Sequence, residues 1–376
     1  MKHLHLKLGI LALILIAIAG PVCCAMFRMK TADEIPATVG NGRSEIIEGL
    51  TVVHVYGTPR ERGEALGELL GDRAVKLRDG YLKPFVKPWN WDVSIKAALE
   101  MESLIPERFR EQMQGFAGKS GMSYDEVLLM NVFLDLRMSP FCSTTCAIGS
   151  ASEDGKPIVG RNLDFPTYGI AEHHTILVIE HLEYGKAIAL VTWPGMIGAL
   201  SGINSDGLTL FSHDSGPGET ALHGMPYTLL YRHILETTTS VDAAAAMLKS
   251  AKRNVTNNVV LVDRTGAAVV EYTADKIAVR RPENGFIHCT NHFRAPPLGG
   301  PKRCRRYTAL ENAAAEGKYD YSRVKGALKD ATFPGLTMQS MIMQPVSMKM
   351  YLAFGKVPAT EARYVELDLN ALFATK

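Results

Sequence analysis

Residues 142–166 begin Cys142-Ser143-Thr144-Thr145-Cys146 and end Gly160-Arg161-Asn162-Leu163-Asp164-Phe165-Pro166. Between them, Glu153-Asp154-Gly155-Lys156 contains Asp-Gly, a strong hairpin signal. The pattern predicts two antiparallel strands carrying a thiol, a guanidinium and a carboxylate on one hairpin. These groups suit acyl chemistry. A thiolate attacks a carbonyl carbon to form an acyl-enzyme, a neighbouring guanidinium favours that thiolate, and fixed donors stabilise the oxyanion. A cysteine that starts a chain also has its α-amine beside its sulfur. The reference pKa of such an amine, roughly 8, suits a general base near neutral pH.

Two thiols compete for the nucleophile's place. Cys142 lies 19 positions before Arg161, and Cys146 lies 15 before it. Residues four apart on a strand share a face, so either could point at the site. A regular hairpin centred on Asp154-Gly155 would set Cys146 opposite Leu163, beside Asp164. It would leave Cys142 roughly 10 Å along the strand from Asp164. A bulge around Gly149-Ser150-Ala151 would shift the register and bring Cys142 nearer.

Further motifs stand in order around this hairpin. They are Tyr56-Gly57-Thr58-Pro59-Arg60-Glu61-Arg62-Gly63-Glu64-Ala65-Leu66-Gly67, Gly202-Ile203-Asn204-Ser205-Asp206-Gly207-Leu208, and Thr290-Asn291-His292-Phe293. With them the chain resembles the cysteine-type N-terminal nucleophile (Ntn) hydrolases over most of its length after Leu50. The closest resemblance is to the penicillin acyltransferase family of linear-amide C–N hydrolases. Choloylglycine hydrolases and acid ceramidase resemble it more distantly.

The resemblance implies an α+β chain folded as an αββα sandwich behind a helical pro-region. It implies cleavage of the Phe141–Cys142 bond, with Cys142 as nucleophile and Asp164 orienting the freed amine. Arg161 would hold Asp164 or the region of the substrate carbonyl, and Asn291 would donate to the oxyanion. Arg306, in Arg305-Arg306-Tyr307, matches a family arginine. Asn204 lies in the mid-domain turn. Relatives often place another polar donor shortly after the Gly-Leu of that turn, where this chain has His213-Asp214. Cys-Ser-Thr resembles the family's opening triplet, which favours Cys142. Cys146 sits where many relatives carry an apolar residue, although its shorter spacing resembles the choloylglycine type. The implied substrate is a small-molecule N-acyl amide, cleaved by hydrolysis or acyl transfer without cofactor or metal.

Composition narrows the remaining classes. Of 376 residues, 47% are hydrophobic and 21% charged, as in a globular protein with a sizeable core. A net charge of +2 gives no nucleic-acid footprint, and neither a Walker-type loop nor a dinucleotide fingerprint occurs. Lys2 and Lys7 precede Leu8–Phe27, which carries no charge. That run reads as an export signal, with cleavage after Ala25. Left uncleaved, it is long enough to span roughly 30 Å as a membrane anchor. Pro21 interrupts the run and favours the signal reading. Either way the chain is expected to be exported: periplasmic, extracellular or anchored through residues 8–27. Cys23-Cys24 invite lipid attachment, but Gly20-Pro21-Val22 is a poor lipoprotein signal. The four remaining cysteines, Cys142, Cys146, Cys289 and Cys304, are too few for a disulfide framework. Cys289–Cys304 pairing stays open beside the reading of buried thiols.

The expected organisation is residues 1–27 as signal or anchor, 28–48 as linker, 49–141 as helical pro-region and 142–376 as catalytic domain. Leu50–Val55 reads as a strand. Arg60–Leu77 and Val93–Phe116, the latter broken at Pro106, read as helices. A capping box at Ser123–Glu126 starts another. Beyond Cys142, strands are expected at Thr144–Ile148, Ile158–Asn162, Thr175–His181, Ala187–Thr192, Leu208–Ser212, Asn258–Asp263, Ala268–Tyr272, Ile277–Arg280 and Phe286–Thr290. Helices are expected at Tyr227–Thr237, at Val241–Lys252 after an N-cap at Ser240, and at Arg303–Ala315. Met338–Gln344 and Met350–Phe354 suggest a closing hairpin. Elements in blocks, without strict alternation, indicate an α+β layered fold.

Two other classes stay in view. One is a metal-dependent hydrolase, since His288 and His292 are four apart and His173-His174 adds two more. On a strand, however, residues four apart sit about 13 Å from each other, and no His-Glu-x-x-His occurs. The other is an unprocessed, non-catalytic binding protein on an Ntn-like scaffold. The basic run Lys302-Arg303-Cys304-Arg305-Arg306 reads as a partner patch, a carboxylate-binding site or a solvated helix start.

Overall fold

Both strands of the chain's central hairpin are buried almost throughout, so the hairpin must be covered on both faces. The computed structural model describes residues 37–136, 141–215, 223–300 and 302–374. The expected signal or anchor and Pro140 lie outside the described residues. In chain order, the elements begin with β1 (Thr38–Val39), β2 (Gly42–Ile47) and β3 (Leu50–Val55). The longer helices that follow are α1 (Pro59–Leu77), α2 (Trp91–Met101), α3 (Glu107–Ser120) and α4 (Tyr124–Leu136), with a single turn at Lys83–Val86 between the first two. Then come β4 (Phe141–Ala147), β5 (Ile158–Asp164), β6 (Ile176–His181), β7 (Ala187–Thr192), β8 (Ser201–Asn204) and β9 (Thr209–Asp214). Helices α5 (Tyr227–Thr237) and α6 (Val241–Ser250) precede β10 (Asn257–Val262), β11 (Ala267–Tyr272), β12 (Ile277–Arg280) and β13 (Phe286–Cys289). The chain closes with α7 (Arg305–Ala315), α8 (Tyr321–Asp330), β14 (Thr337–Gln344), β15 (Lys349–Ala353), β16 (Val365–Asp368) and α9 (Leu369–Ala374).

Among the described residues the strands form two sheets. The larger has the order β1-β2-β3-β6-β7-β8-β9-β10-β11-β12, and the smaller β13-β4-β5-β14-β15-β16. One apolar core joins them: Val52, Leu177, Phe211 and Val260 of the larger sheet meet Cys146, Val159, Met341 and Met350 of the smaller. The smaller sheet's other face packs Ala147, Ile158 and Ile342 against Leu310 of α7 and Val324 and Leu328 of α8. On the larger sheet's outer face, α1 lies so close that a Cβ on Gly42 would meet Ala65 and Leu69. A Cβ on Gly202 would likewise meet Leu235 of α5. The layers are therefore helix, sheet, sheet, helix, the expected αββα sandwich.

Local signals explain most elements. The box expected at Ser123–Glu126 forms, with Glu126 N–H donating to Ser123 Oγ (3.3 Å) and Ser123 N–H to Glu126 Oε2 (3.1 Å). Thr58 and Glu61 form a second one at the start of α1. Pro106 separates α2 from α3, as its missing N–H requires. Residues 38–47, expected within a linker, are strands β1 and β2. Glu48 and Gly49 both have positive φ, 48° and 86°, so they form the two-residue turn that joins β2 to β3. The polar run Arg43-Ser44-Glu45 carries no apolar pattern that would mark a strand. Helix α8 and strands β8 and β16 were likewise not expected from sequence.

The segment before Cys142 is built into the larger sheet. Strand β3 pairs in parallel with β6, Thr51–Val55 against Ile176–Glu180. Buried Glu180 of β6 receives Arg62 Nε of α1 (3.0 Å), Gln112 Nε2 of α3 (3.0 Å) and Arg232 Nη2 of α5 (2.6 Å). Removing one partner of such a group would strand a buried charge. Pro36–Lys376 form one compact unit.

Candidate active site

The register of β4 against β5 separates the two thiols. Cys142 lies opposite Leu163 and Cys146 opposite Val159. Asp154-Gly155 is therefore not the two-residue turn of a regular hairpin. A 3-10 turn at Gly149–Ala151 lengthens the connection, and Gly149 takes φ 56° there. Cys142, Thr144 and Cys146 share the face toward the larger sheet. Cys146 lies inside the inter-sheet core, and burial alone pushes its thiol pKa up. The structure thus does not bring Cys146, the competing nucleophile, to the polar cluster.

Cys142 is held at three atoms. Its sulfur receives Arg161 Nη2 at 3.0 Å. Its N–H donates to Asn291 Oδ1 (2.9 Å), and its carbonyl accepts from Arg306 Nη1 (2.7 Å). Arg306 also donates to Asp164 Oδ2 (2.9 Å) and Asn291 Oδ1 (2.7 Å). Of the two placements expected for Arg161, the one on Asp164 is taken by Arg306 instead. Arg161 serves the sulfur, and Arg306, reaching in from α7, holds Asp164. The nitrogen that would become the free amine lies on Asn291 rather than being oriented by Asp164 alone. Thr337, at the start of β14, donates to Asp164 Oδ1 (2.5 Å). No sequence motif marked that threonine.

The electrostatics follow from burial. Burial pushes the Cys142 thiol pKa up; Arg161 pulls it down, Asp164 opposes that, and Arg306 helps. Burial lifts Asp164 to about 6, against the pull of Arg306, Thr337 and Arg161. Arg161 is fully buried. It donates to Leu200 O (3.0 Å), Ser212 O (2.8 Å) and Ser201 Oγ. No ion pair to a carboxylate neutralises it among the described residues. An un-neutralised buried cation favours an anion beside it, and the atom beside it is Cys142 Sγ.

The remaining candidates separate. Asn291 Nδ2 donates to the carbonyl of Asp214 (2.7 Å), and Asn258 Nδ2 bonds the carbonyls of Thr290 and His292, fixing the Asn291 segment. His213 Nε2 pairs with Thr144 Oγ1 (2.8 Å). Burial, then Arg161, lower the pKa of His213 well below the usual histidine value. Asn204 bonds backbone at the end of α5 and in its own turn. Its amide donates to Leu235 O and Thr238 O at the end of α5, and its Oδ1 accepts from Leu208 N–H. His288 bonds Thr145 Oγ1 (2.8 Å). Cys289 and Cys304 are both free thiols.

An apolar cavity of about 50 Å³ is lined in part by Leu163, the cross-strand neighbour of Cys142. Leu163, Phe165, Leu200, Met196, Met338 and Tyr81 line part of it. Tyr81 belongs to a π-helical turn, Arg78–Leu82, that extends α1; its hydroxyl donates to Pro166 O (2.7 Å).

Known proteins give a consistent picture. A model of the family described as acyl-coenzyme A:6-aminopenicillanic acid acyl-transferase matches residues 150–332. Protein dcd1A of Dictyostelium discoideum is 24% identical, over 86% of each chain. The N-acylethanolamine-hydrolyzing acid amidase of Oryctolagus cuniculus is 26% identical over 49% of each. A solved structure of the Caenorhabditis elegans ortholog of that amidase is similar at 18% identity and a TM-score of 0.44, covering 54% of this chain and 93% of that one. Over residues 150–332 the chain is thus similar to the penicillin acyltransferase family, and over 49% of its length to an acid amidase that hydrolyses N-acylethanolamines.

Proposed function

We propose that Cys142 is the nucleophile of an exported linear-amide hydrolase or acyltransferase that matures by cutting its own chain before Cys142. The observation that carries this reading is the 3.0 Å contact from Arg161 Nη2 to Cys142 Sγ. It pairs a buried, un-neutralised cation with the one atom that must become an anion.

In maturation, Cys142 Sγ adds to the Phe141 carbonyl carbon. The C–N bond breaks as the thioester forms, and the thiol proton passes to nitrogen. Water then cleaves the thioester, leaving the Phe141 carboxylate, the free thiol and the Cys142 α-amine. Asn291 Oδ1 already holds that nitrogen. In turnover the amine takes the thiol proton, and the thiolate adds to the substrate's amide carbonyl. Collapse of the oxyanion expels the amine product, which takes a proton back. Water as acceptor completes hydrolysis; an amine acceptor completes acyl transfer. The apolar cavity beside Leu163 supports a hydrocarbon acyl group.

Intact mass and N-terminal sequencing test this on the wild-type, Cys142→Ala and Cys146→Ala proteins. A fragment starting at Cys142, lost only in Cys142→Ala, is expected. A fragment starting at Cys146 would keep the mechanism and move the nucleophile to that thiol; an uncut wild-type chain would overturn self-activation. Export rests on the uncharged run Leu8–Phe27. Among the described residues no helix is long and apolar enough to cross a membrane. Expression in a secreting host, with the N-terminus read after fractionation, checks for cleavage after Ala25.

A further inference from the structure

Asn291 reaches Cys142 with its side chain, and its own place is set from the other sheet. Among the described residues, β13 is an outer strand of the smaller sheet, paired with β4. Its ladder ends at Cys289, opposite Thr144. Asn291 lies beyond that last rung, so its backbone needs another support. Carbonyls alternate sides along a strand. Gly285 O accepts from Ile148 N–H, next to β4, so His288 O points to the outer side. Thr290 O and His292 O continue that row. Buried carbonyls need partners, and side chains of the larger sheet supply them.

Asn258 of β10 donates through Nδ2 to Thr290 O (3.0 Å) and to His292 O (3.1 Å). One amide thus grips the chain on both sides of Asn291. Glu271 of β11 stands directly opposite Asn258. Its Oε2 accepts from the backbone N–H groups of Arg294 and Ala295 (2.8 Å each). Arg280 of β12 donates from Nε to Glu271 Oε1 (2.6 Å) and from Nη2 to His288 O (2.8 Å). Asn258 and Glu271 are fully buried, so these bonds are made away from water and are costly to leave unmade. One row of side chains therefore holds the backbone from His288 to Ala295.

The sulfur is held separately. Arg161 reaches Cys142 Sγ and is itself anchored on Leu200 O and Ser212 O. A shift of residues 290–295 would move Asn291 off the Cys142 nitrogen and leave the cation on the thiol.

We infer that Asn258 and Glu271, braced by Arg280, are positioning residues of the reaction: they hold Asn291 where it meets the Cys142 nitrogen and the reacting carbonyl. Both act through Asn291. This deepens the amide-cleaving reading and rests on it for the step affected. The role has a signature. Acyl binding beside Leu163 and ionisation of the thiol should survive the loss of either residue, whereas oxyanion stabilisation, which depends on exact placement of the donor, should not.

The experiment uses the full-length protein and Asn258→Asp, which keeps the shape and an acceptor but loses both N–H donors. It measures kcat and KM for N-dodecanoylethanolamine, and the alkylation of Cys142 by iodoacetamide, read by peptide mapping. It also measures inhibition by dodecanal. Cys142 Sγ adds to the aldehyde carbon and the thiol proton passes to oxygen, giving a hemithioacetal whose oxygen lies where the oxyanion forms. Per alkylatable Cys142, kcat of Asn258→Asp should fall roughly tenfold to a hundredfold, and dodecanal should weaken in parallel. KM and the alkylation rate should stay near wild type. Glu271→Gln, a weaker acceptor, should act in the same direction by less. Arg280 is partly exposed, so Arg280→Gln answers even if Asn258→Asp fails to fold; Arg280→Lys should restore part of its loss. Asn204→Asp removes amide–carbonyl bonds of the same kind at the end of α5. It should lower Tm and leave kcat per thiol near wild type.

The inference is overturned if kcat per thiol and dodecanal inhibition in Asn258→Asp and Arg280→Gln match Asn204→Asp. A parallel fall in alkylation rate would also overturn it, by showing general loosening. A wild type that binds dodecanal at Cys142 but cleaves no amide would sink the hydrolase reading and leave the dodecanal ratios to decide the positioning role. A wild type that does neither would sink both.

Discussion

Arg161 Nη2 lies 3.0 Å from Cys142 Sγ, and the same guanidinium is otherwise held by carbonyls and a hydroxyl. Its charge lowers the thiol pKa against the upward push of burial. Arg161→Gln should therefore raise the thiol pKa further. The rate of Cys142 alkylation should fall at least tenfold at pH 7, and its rise with pH should move to higher pH. An alkylation profile that coincides with wild type would refute this role.

Asp164 gives a pH signature of stability. Its folded pKa, about 6, lies above the reference value of 3.8. The folded state then binds more protons than the unfolded state between those values, so this group's contribution is present below about pH 4 and lost as pH rises through about 6. The full effect is at most about 3 kcal/mol. Melting curves of wild type and Asp164→Asn from pH 4 to 8 should show the wild type losing ground relative to the variant across that window. A constant difference would contradict the burial argument.

Helices α1 and α3 cross at glycine. A Cβ on Gly67 would stand 2.5 Å from Phe116 O, and one on Gly71 would stand 2.6 Å from Ser120 Cα. Both obstacles are backbone, so the helices themselves must part. Gly67→Ala should cost roughly 1–3 kcal/mol, read as a lowered Tm, even though alanine favours helices. Gly118→Ala on α3, where a Cβ meets nothing within 4 Å, should be neutral or slightly stabilising.

The cavity should set acyl length. Met196→Trp fills space opposite Leu163, so kcat/KM for a long-chain amide should fall tenfold or more relative to a short-chain amide of the same amine. Loss of both in parallel would mean that the acyl chain lies elsewhere.

Periodicity and turn chemistry made much of the fold legible. Helix α5 was expected with its observed bounds, Tyr227–Thr237, because Pro226 precedes it and its apolar spacing is regular. Strands β7 and β12 also match residue for residue. Cys142, Arg161, Asp164, Asn291 and Arg306 do meet, but which arginine serves which group depended on faces. Arg161 points between the sheets, whereas Asp164, three residues on, points toward α7. That split follows from strand alternation, yet it becomes useful only once the partner layers are known. The register of Cys142 is illegible because Asp154-Gly155 mimics a tight turn that the chain does not make there. Thr337 was illegible because a threonine starting a strand carries no local signal.

The parallel pairing of β3 with β6 bears on the molecularity of folding. An intact chain can bring these strands together in a unimolecular search. A chain severed before Cys142 holds them on separate polypeptides, and β3 can return to β6 only by collision. Refolding of the severed form would then be second order, slower on dilution, with a melting temperature that depends on protein concentration. The sheet would be assembled once, before the cut, and afterwards its persistence would rest on the barrier to unfolding.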